Sequence, residues 1–222
     1  MIKRSFVIPA YNEENYLERT LLAVQQLTDQ AEIIVIDDGS DDNTKIIAGQ
    51  YADKLISFAE NKGKGFALQA GWRAARGEVI ICLDADLGES AREIELLIAT
   101  LEREEADLVI SVMKPGKRAG FGLVKRRVQA IIYRETGVKL ASPLSGQRVF
   151  RRKWLPVLLE KDYKRFGVEA QMTLDLLRAG ATCAEITTQM THREMGKNMR
   201  GFLHRLKQWL EIERQLREVQ HQ

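Results

Sequence analysis

Residues 32–44 read Glu32-Ile33-Ile34-Val35-Ile36-Asp37-Asp38-Gly39-Ser40-Asp41-Asp42-Asn43-Thr44. A short β-branched run ends abruptly in acids, a glycine and capping residue types. It predicts a strand over Glu32 to Ile36, a turn, and a helix from Asn43 to Tyr51. The same unit repeats outward in both directions. Strands are expected at Ser5 to Ile8, Lys54 to Phe58, Val79 to Leu83 and Leu108 to Val112, with helices at Glu14 to Leu27, Gly65 to Ala75 and Ala91 to Arg103. In the first of these helices Tyr16, Leu17, Thr20, Leu21, Val24 and Leu27 recur at helical spacing and read as a core-facing stripe. Strands alternating with helices imply an α/β fold, a mostly parallel central sheet flanked by helices.

After Met113 the rhythm breaks. A loop with Pro115, Gly116, Gly120 and Gly122 leads into a basic amphipathic segment, Leu123 to Glu135, whose apolar side is Val124, Val128, Ile131 and Ile132. A strand at Gln147 to Phe150, a helix from Gly167 to Ala179, a strand at Thr182 to Ile186 and a closing helix from Asn198 to Val219 are expected. The 222 residues, 45% apolar and 29% charged with 4 prolines, suit one domain with a sizeable core and exclude a disordered or collagenous chain.

Formal charge is only +3, but it is unevenly spread. Between Lys114 and Lys153 twelve basic residues face Glu135 alone, a net +11 that leaves −8 for the rest. Cys82 and Cys183 each lie in an apolar run, which argues against a disulfide framework and for a reducing compartment. The N-terminus runs straight into a strand, and no apolar stretch reaches about 18 residues. The expectation is a cytoplasmic protein, soluble or peripheral at the inner face of a membrane.

In open parallel sheets ligands sit beyond the carboxyl ends of the strands. Those positions carry Pro9-Ala10-Tyr11-Asn12-Glu13-Glu14, Asp37-Asp38-Gly39-Ser40-Asp41-Asp42 and Asp84-Ala85-Asp86. Two carboxylates at i and i+2 past a strand can reach one hard cation, and carboxylate oxygens select Mg2+ or Mn2+. The alternative for this pair is a solvated turn. For the Asp37 to Asp42 run it is a helix N-cap, in which Ser40 or Asp42 accepts from backbone amides, and both roles can coexist. Asn61-Lys62-Gly63-Lys64-Gly65 opens a helix with glycines that allow close approach and lysines that suit phosphate.

The ordered set P-A-Y-N-E-E, I-D-D-G-S-D-D-x-T, N-K-G-K-G-x-A-x-x-x-G and D-A-D-L resembles the family 2 glycosyltransferases, inverting enzymes with the GT-A fold. The resemblance spans residues 5 to about 113. It implies a nucleotide-diphosphate-sugar donor, with Pro9, Tyr11, Glu13, Asp38, Lys64, Asp84 and Ala85 around the nucleotide sugar and Asp86 on the metal. It also divides the single domain, 1–222, into a nucleotide-sugar-binding half, 1–113, and an acceptor-binding half, 114–222, with the C-terminal amphipathic helix. Ser145-Gly146-Gln147-Arg148-Val149-Phe150-Arg151-Arg152 looks like the S-G-F-R-x-F-R-R stretch of the dolichyl-phosphate mannose synthase branch.

Two departures from that branch shape the expectations. Where it often has a metal-binding Gln two residues past the second aspartate, this chain has Gly88. The third ligand, beside Asp86 and Asp84, is then expected from His192, which follows the last strand. Many relatives also carry a Glu-Asp pair whose Asp deprotonates the acceptor hydroxyl, and here the pair reads Glu169-Ala170. Either Glu169 is the base, or the acceptor is already ionised, as a phosphate is. The +11 block favours a phosphate, with Arg118, Arg126, Ser145, Arg148 and Arg151 holding it; a solvated basic face is the alternative. Asp86, Glu169 and Arg148 form the expected catalytic set.

The function these readings imply is metal-dependent transfer of a hexosyl group from a UDP- or GDP-sugar to an anionic acceptor, a polyprenyl phosphate. Its alternatives are a hydroxyl acceptor with Glu169 as base, a nucleotidyltransferase, and a non-catalytic anion-binding module. No nucleic-acid motif accompanies the basic block. The segment Leu123 to Glu135 and the closing helix suit a membrane surface. The closing helix also suits packing on its own domain or on a second subunit, which leaves room for a homodimer.

Overall fold

The computed structural model describes residues 2–27, 29–103, 106–113, 122–163 and 167–192. Its strands are β1 (Arg4–Ala10), β2 (Ala31–Asp37), β3 (Lys54–Ser57), β4 (Val79–Cys82), β5 (Leu108–Met113), β6 (Arg148–Arg151) and β7 (Cys183–Thr188). They form one sheet in the order β3-β2-β1-β4-β6-β5-β7. Every neighbouring pair is parallel except the two made by β6, which runs antiparallel to both β4 and β5. The order reverses between β1 and β4, so the crevice for a ligand opens at their carboxyl ends.

Side chains alternate across the sheet. Val7, Ile34, Ile36, Ile80 and Cys82 face one apolar layer, and Phe6, Ile8, Ile33, Val35 and Ile81 face the other. Helices α1 (Leu17–Gln25), α2 (Thr44–Tyr51) and α4 (Ile94–Glu102) belong to the second layer. Helices α3 (Lys64–Ala74), α5 (Gly122–Thr136), α6 (Leu155–Leu159) and α7 (Val168–Arg178) belong to the first. Both faces of the sheet are thus covered, which is why its strands read as continuous apolar runs. Trp72 wedges this first layer edge-on against Phe150 and Tyr163, with ring centroids 6.2 and 5.8 Å away. Each fully buried Ile or Phe contributes about 1.5–3 kcal/mol of transfer free energy.

Within the described residues the expected elements are present with three differences. The helix expected from Glu14 begins at Leu17, because Glu13 to Tyr16 form a turn in which Tyr16 and Leu17 both donate to the Glu13 carbonyl. The helix expected over Ala91 to Arg103 divides into a 3₁₀ segment, Gly88–Glu93, and α4. The short α6 was not expected; Pro156 in its first turn suits a helix start.

One expectation about surfaces is overturned. The apolar side of the basic segment, Val124, Val128, Ile131 and Ile132, is buried in the core layer that also holds α7, so that stripe is unavailable to lipid. Leu123, 81% exposed beside Lys125 and Arg126, and Tyr133, 49% exposed, are the large apolar side chains that α5 leaves at the surface. The closing helix from Asn198 lies outside the described residues, as does Arg118. Among the described residues no helix is long and apolar enough to cross a membrane. Cys82 and Cys183 are free thiols, and Cys82 accepts a hydrogen bond from Trp72 Nε1.

Candidate active site

The loops after β1 and β2 are laced together by the acids and hydroxyls of their own motifs. Asn12 N donates to Ser40 Oγ, Glu13 N to Thr44 Oγ1 and Glu14 N to Asp42 Oδ2. Asp41 N donates back to Asn12 Oδ1, and Asn43 to Glu14 Oε2. Asp42 accepts from Thr44 N at the start of α2, but the N-cap is Asn43, whose side chain makes no capping hydrogen bond, so the N-cap expected of Ser40 or Asp42 is not formed. Pro9 is the sixth residue of β1, and Tyr11, 43% exposed, stands just past that strand. Tyr11 and the partly buried Glu13 thus stay at the crevice while their neighbours fix the loop.

Asp38 is placed differently from a residue that faces a ligand. It is 4% exposed, and its two oxygens accept from Lys62 N and Gly63 N at 2.8 Å each. Burial pushes its carboxyl up, and the two amide bonds pull it down without cancelling that effect. Its work is to hold the glycine-lysine loop in register. Gly39 permits this close approach: at its positive φ a Cβ would lie 2.5 Å from the Glu60 carbonyl carbon.

That loop starts α3 and delivers Lys64, whose Nζ lies 2.6 Å from Asp84 Oδ1 and 2.6 Å from Glu169 Oε1. Burial would lower the ammonium, but the charges of Asp84 and Glu169 raise it, so Lys64 is fully charged. Glu169 comes from the first turn of α7. One lysine therefore ties the end of β4 to the start of α7.

The Asp84-Ala85-Asp86 turn is held from α1. Thr20, fully buried, donates through Oγ1 to the Ala85 carbonyl at 2.8 Å and accepts from Gly88 N at 2.8 Å. Ala85 is 4% exposed and contributes backbone alone. His192 arrives after β7 along a strap in which Gln189 N donates to Glu93 and Thr191 N to Ser90 Oγ. Its Nδ1 lies 2.9 Å from Asp86 Oδ1, and its Nε2 lies 3.7 Å from Asp84 Oδ2.

One ligand atom from each of Asp84, Asp86 and His192 falls within 4.8 Å of the others. Two carboxylate oxygens and an imidazole nitrogen are a donor set that fits Mg2+ or Mn2+. Partial burial would raise the Asp84 carboxyl, but Lys64, His192 and the hydrogen bonds from Lys64 and Gln147 outweigh it and hold the carboxyl at about 2. Partial burial would lower the His192 imidazole, whereas the Asp86 hydrogen bond and the charges of both aspartates raise it. Excess negative charge thus collects where the crevice opens.

Among the described residues, the arginines expected to hold an acceptor are not brought together. Arg148 is 1% exposed and spends all five donors inside the protein. Nε and Nη2 donate to the Ser145 carbonyl, Nη2 also to Pro143 O, and Nη1 to Glu169 O and Thr173 Oγ1. It is a brace between the start of β6 and α7, neither a catalytic residue nor an acceptor ligand. Arg151 pairs in register with Val79 at the opposite edge of the sheet and donates to Leu101 O, so it cannot reach the site. Arg126 is exposed on α5, and Ser145 lies near the site with its hydroxyl on Gln147.

Two positioning residues escaped the sequence reading. Thr20 was counted only as part of a core stripe. Gln147, which donates to Asp84 Oδ2 at 2.8 Å, precedes a strand instead of following one. An antiparallel strand presents its beginning to the edge where parallel strands present their ends, and that signal was open to a reader who asked about strand direction.

The profile of glycosyl transferase family 2 matches residues 5–159. Dodecaprenyl-phosphate galacturonate synthase of Rhizobium johnstonii is 32% identical over 68% of this chain and 48% of its own. Undecaprenyl-phosphate 4-deoxy-4-formamido-L-arabinose transferase of Photorhabdus laumondii is 33% identical over 77% of this chain and 51% of its own. The chain thus spans about half the length of these curated relatives. Among solved structures, glucosyl-3-phosphoglycerate synthase from Mycobacterium tuberculosis with Mn2+, uridine-diphosphate and phosphoglyceric acid is similar at a TM-score of 0.75. It is 27% identical, over 90% of this chain and 73% of that one. The same enzyme with Mn2+, uridine-diphosphate-glucose and phosphoglyceric acid gives a TM-score of 0.72 at 27% identity, over 87% of this chain and 72% of that one.

Proposed function

Because this chain belongs to glycosyl transferase family 2, we propose that it transfers a hexosyl group from a UDP-sugar, with Mg2+ or Mn2+, to an anionic acceptor, and that the acceptor is a polyprenyl phosphate. The observation that carries the donor half is the meeting of Asp84, Asp86 and His192 at the switch point of the sheet, with Lys64 beside them. Solved neighbours that bind uridine-diphosphate and Mn2+ support the same donor and metal. Curated relatives named for polyprenyl phosphates support the acceptor.

Asp86 and His192, with Asp84, would hold the cation, which when bound neutralises charge developing on the departing diphosphate. Lys64 adds a second positive charge at the start of α3, a helix end whose dipole also favours phosphate. Tyr11 and Glu13 wall the nucleoside side, and Asp38 fixes the loop that presents Lys64. An acceptor oxygen attacking the anomeric carbon opposite the diphosphate inverts that carbon. If the oxygen belongs to a phosphate it is already ionised at pH 7 and needs no base.

One observation favours a second reading. Glu169 sits in the site beside Lys64, whereas Arg148 and Arg151, two of the arginines meant for a phosphate, are engaged elsewhere. In that reading the acceptor is a hydroxyl of a small anionic molecule, and Glu169 takes its proton. A panel of UDP- and GDP-sugars with Mn2+, offered polyprenyl phosphate or phosphoglycerate and read by mass, separates the two. Glu169→Gln slows transfer less than about tenfold if a phosphate attacks, and about 100-fold or more if Glu169 is the base. Absence of any metal-dependent UDP binding defeats both.

A further inference from the structure

β6 brings more than a strand to the site. Gln147 is fully buried; its Nε2 donates to Asp84 Oδ2 at 2.8 Å, and Ser145 Oγ donates to its Oε1 at 3.2 Å. The amide has only one workable orientation. An ionised carboxylate accepts and cannot donate, so the nitrogen faces Asp84 and the oxygen is left for the hydroxyl. Gly146 lies flat against the same carboxylate, where a Cβ would come within 2.5 Å of Asp84 Oδ2 and 2.6 Å of Oδ1. Lys64 holds Oδ1. Each Asp84 oxygen is therefore directed by one partner and keeps a lone pair for a cation.

We propose that Gln147, with Gly146 as its floor and Ser145 as its anchor, is a positioning residue that fixes the Asp84 carboxylate and so sets how tightly the Asp84, Asp86 and His192 group binds a divalent cation. The inference rests on the metal-dependent donor reading above. An unheld aspartate rotates broadly about its terminal torsion, and fixing it in advance removes that ordering cost from cation binding. A neutral amide suits the task. A second ammonium would cancel charge that the cation needs, and a phenylalanine, which occupies this place in the S-G-F-R stretch, has no donor. Partners of this kind behind metal ligands typically tune affinity by 10–100-fold.

The test measures Mn2+ binding by electron paramagnetic resonance and Mn2+-dependent UDP binding by calorimetry on the full chain. Gln147→Met keeps the volume and removes the amide. It is expected to weaken Mn2+ binding about tenfold and to raise the Mn2+ concentration for half-maximal transfer by the same factor, with kcat at saturating metal nearly unchanged. Ser145→Ala, which is only partly buried, should weaken Mn2+ about threefold, as expected for one neutral hydrogen bond. If Gln147→Met does not fold, Ser145→Ala decides by the same measurement. Asp86→Ala runs in parallel. Parent-like Mn2+ affinity in Gln147→Met or Ser145→Ala, beside lost affinity in Asp86→Ala, overturns the positioning role alone. Unchanged affinity in all variants removes the metal site and this inference together.

Discussion

The two edges of the sheet use the same residue types to different ends. At the edge where the parallel strands begin, acids and bases are matched one to one: Glu32 with Arg76, Asp107 with Lys153, and Glu102 with Arg4. Glu32, 2% exposed, accepts from Ser5 Oγ and from Arg76 N, Nε and Nη2. At the edge where they end, three carboxylates, Asp84, Asp86 and Glu169, share one ammonium and one imidazole among the described residues. Matched charge stabilises the fold. An excess of one sign costs stability unless something arrives to neutralise it, and such an excess in a crevice marks a binding site.

This contrast breaks most visibly if Asp86 is removed. Asp86→Ala should lower metal-dependent UDP binding and transfer about 100-fold or more, while the melting temperature holds or rises because repulsion at that edge is relieved. Calorimetry with UDP and Mn2+ beside a thermal melt checks both; a large fall in melting temperature would mean that Asp86 is structural. Glu32→Gln should do the reverse. It should cost about 2 kcal/mol in urea unfolding, below the 3–5 kcal/mol of a fully buried pair because Arg76 is largely exposed, and should leave UDP affinity within twofold.

The smallest effect concerns acid. The carboxyl of Asp107 is held at about 2: burial raises it, and Lys153 with the Thr182 amide and hydroxyl lower it more. A folded-state value below the unfolded one means that this stabilisation is present above the ordinary aspartate range and is lost as pH falls toward 2. Asp107→Asn should therefore flatten the stability profile between about pH 4 and 2 without changing transfer at pH 7. An unchanged acid slope would show that the pair contributes nothing measurable.

Much of this arrangement was legible in the residues. The parallel strands, their acidic ends and Lys64 on the glycine loop follow from local pattern, because apolar runs and turn chemistry are written locally, whereas the return of His192 toward Asp86 was expected only through the resemblance to the family 2 glycosyltransferases. What was illegible is direction. Residues 147–151 look like a strand either way round, so the pattern gave no means of telling that Gln147 lies at the ligand edge and Arg151 at the opposite one. Partnership was equally hidden. The stripe of Val124, Val128, Ile131 and Ile132 announces an apolar surface but not what covers it, and Arg148 gave no sign that backbone carbonyls and the Thr173 hydroxyl would use all its donors. The placing of Arg148 and Arg151 on an acceptor thus rested on charge count, which carries no position.

The insertion of β6 between β4 and β5 also dictates the order in which the protein can be made. When synthesis has reached Met113, β4 has an open side, and Leu108–Met113 has no strand to pair with, since both neighbours of β5 are encoded later. An apolar strand waiting with bare backbone edges is an aggregation hazard. A fragment that stops before Arg151 should therefore collect in inclusion bodies, and chaperone demand should peak in the interval between the emergence of residue 113 and that of residue 151.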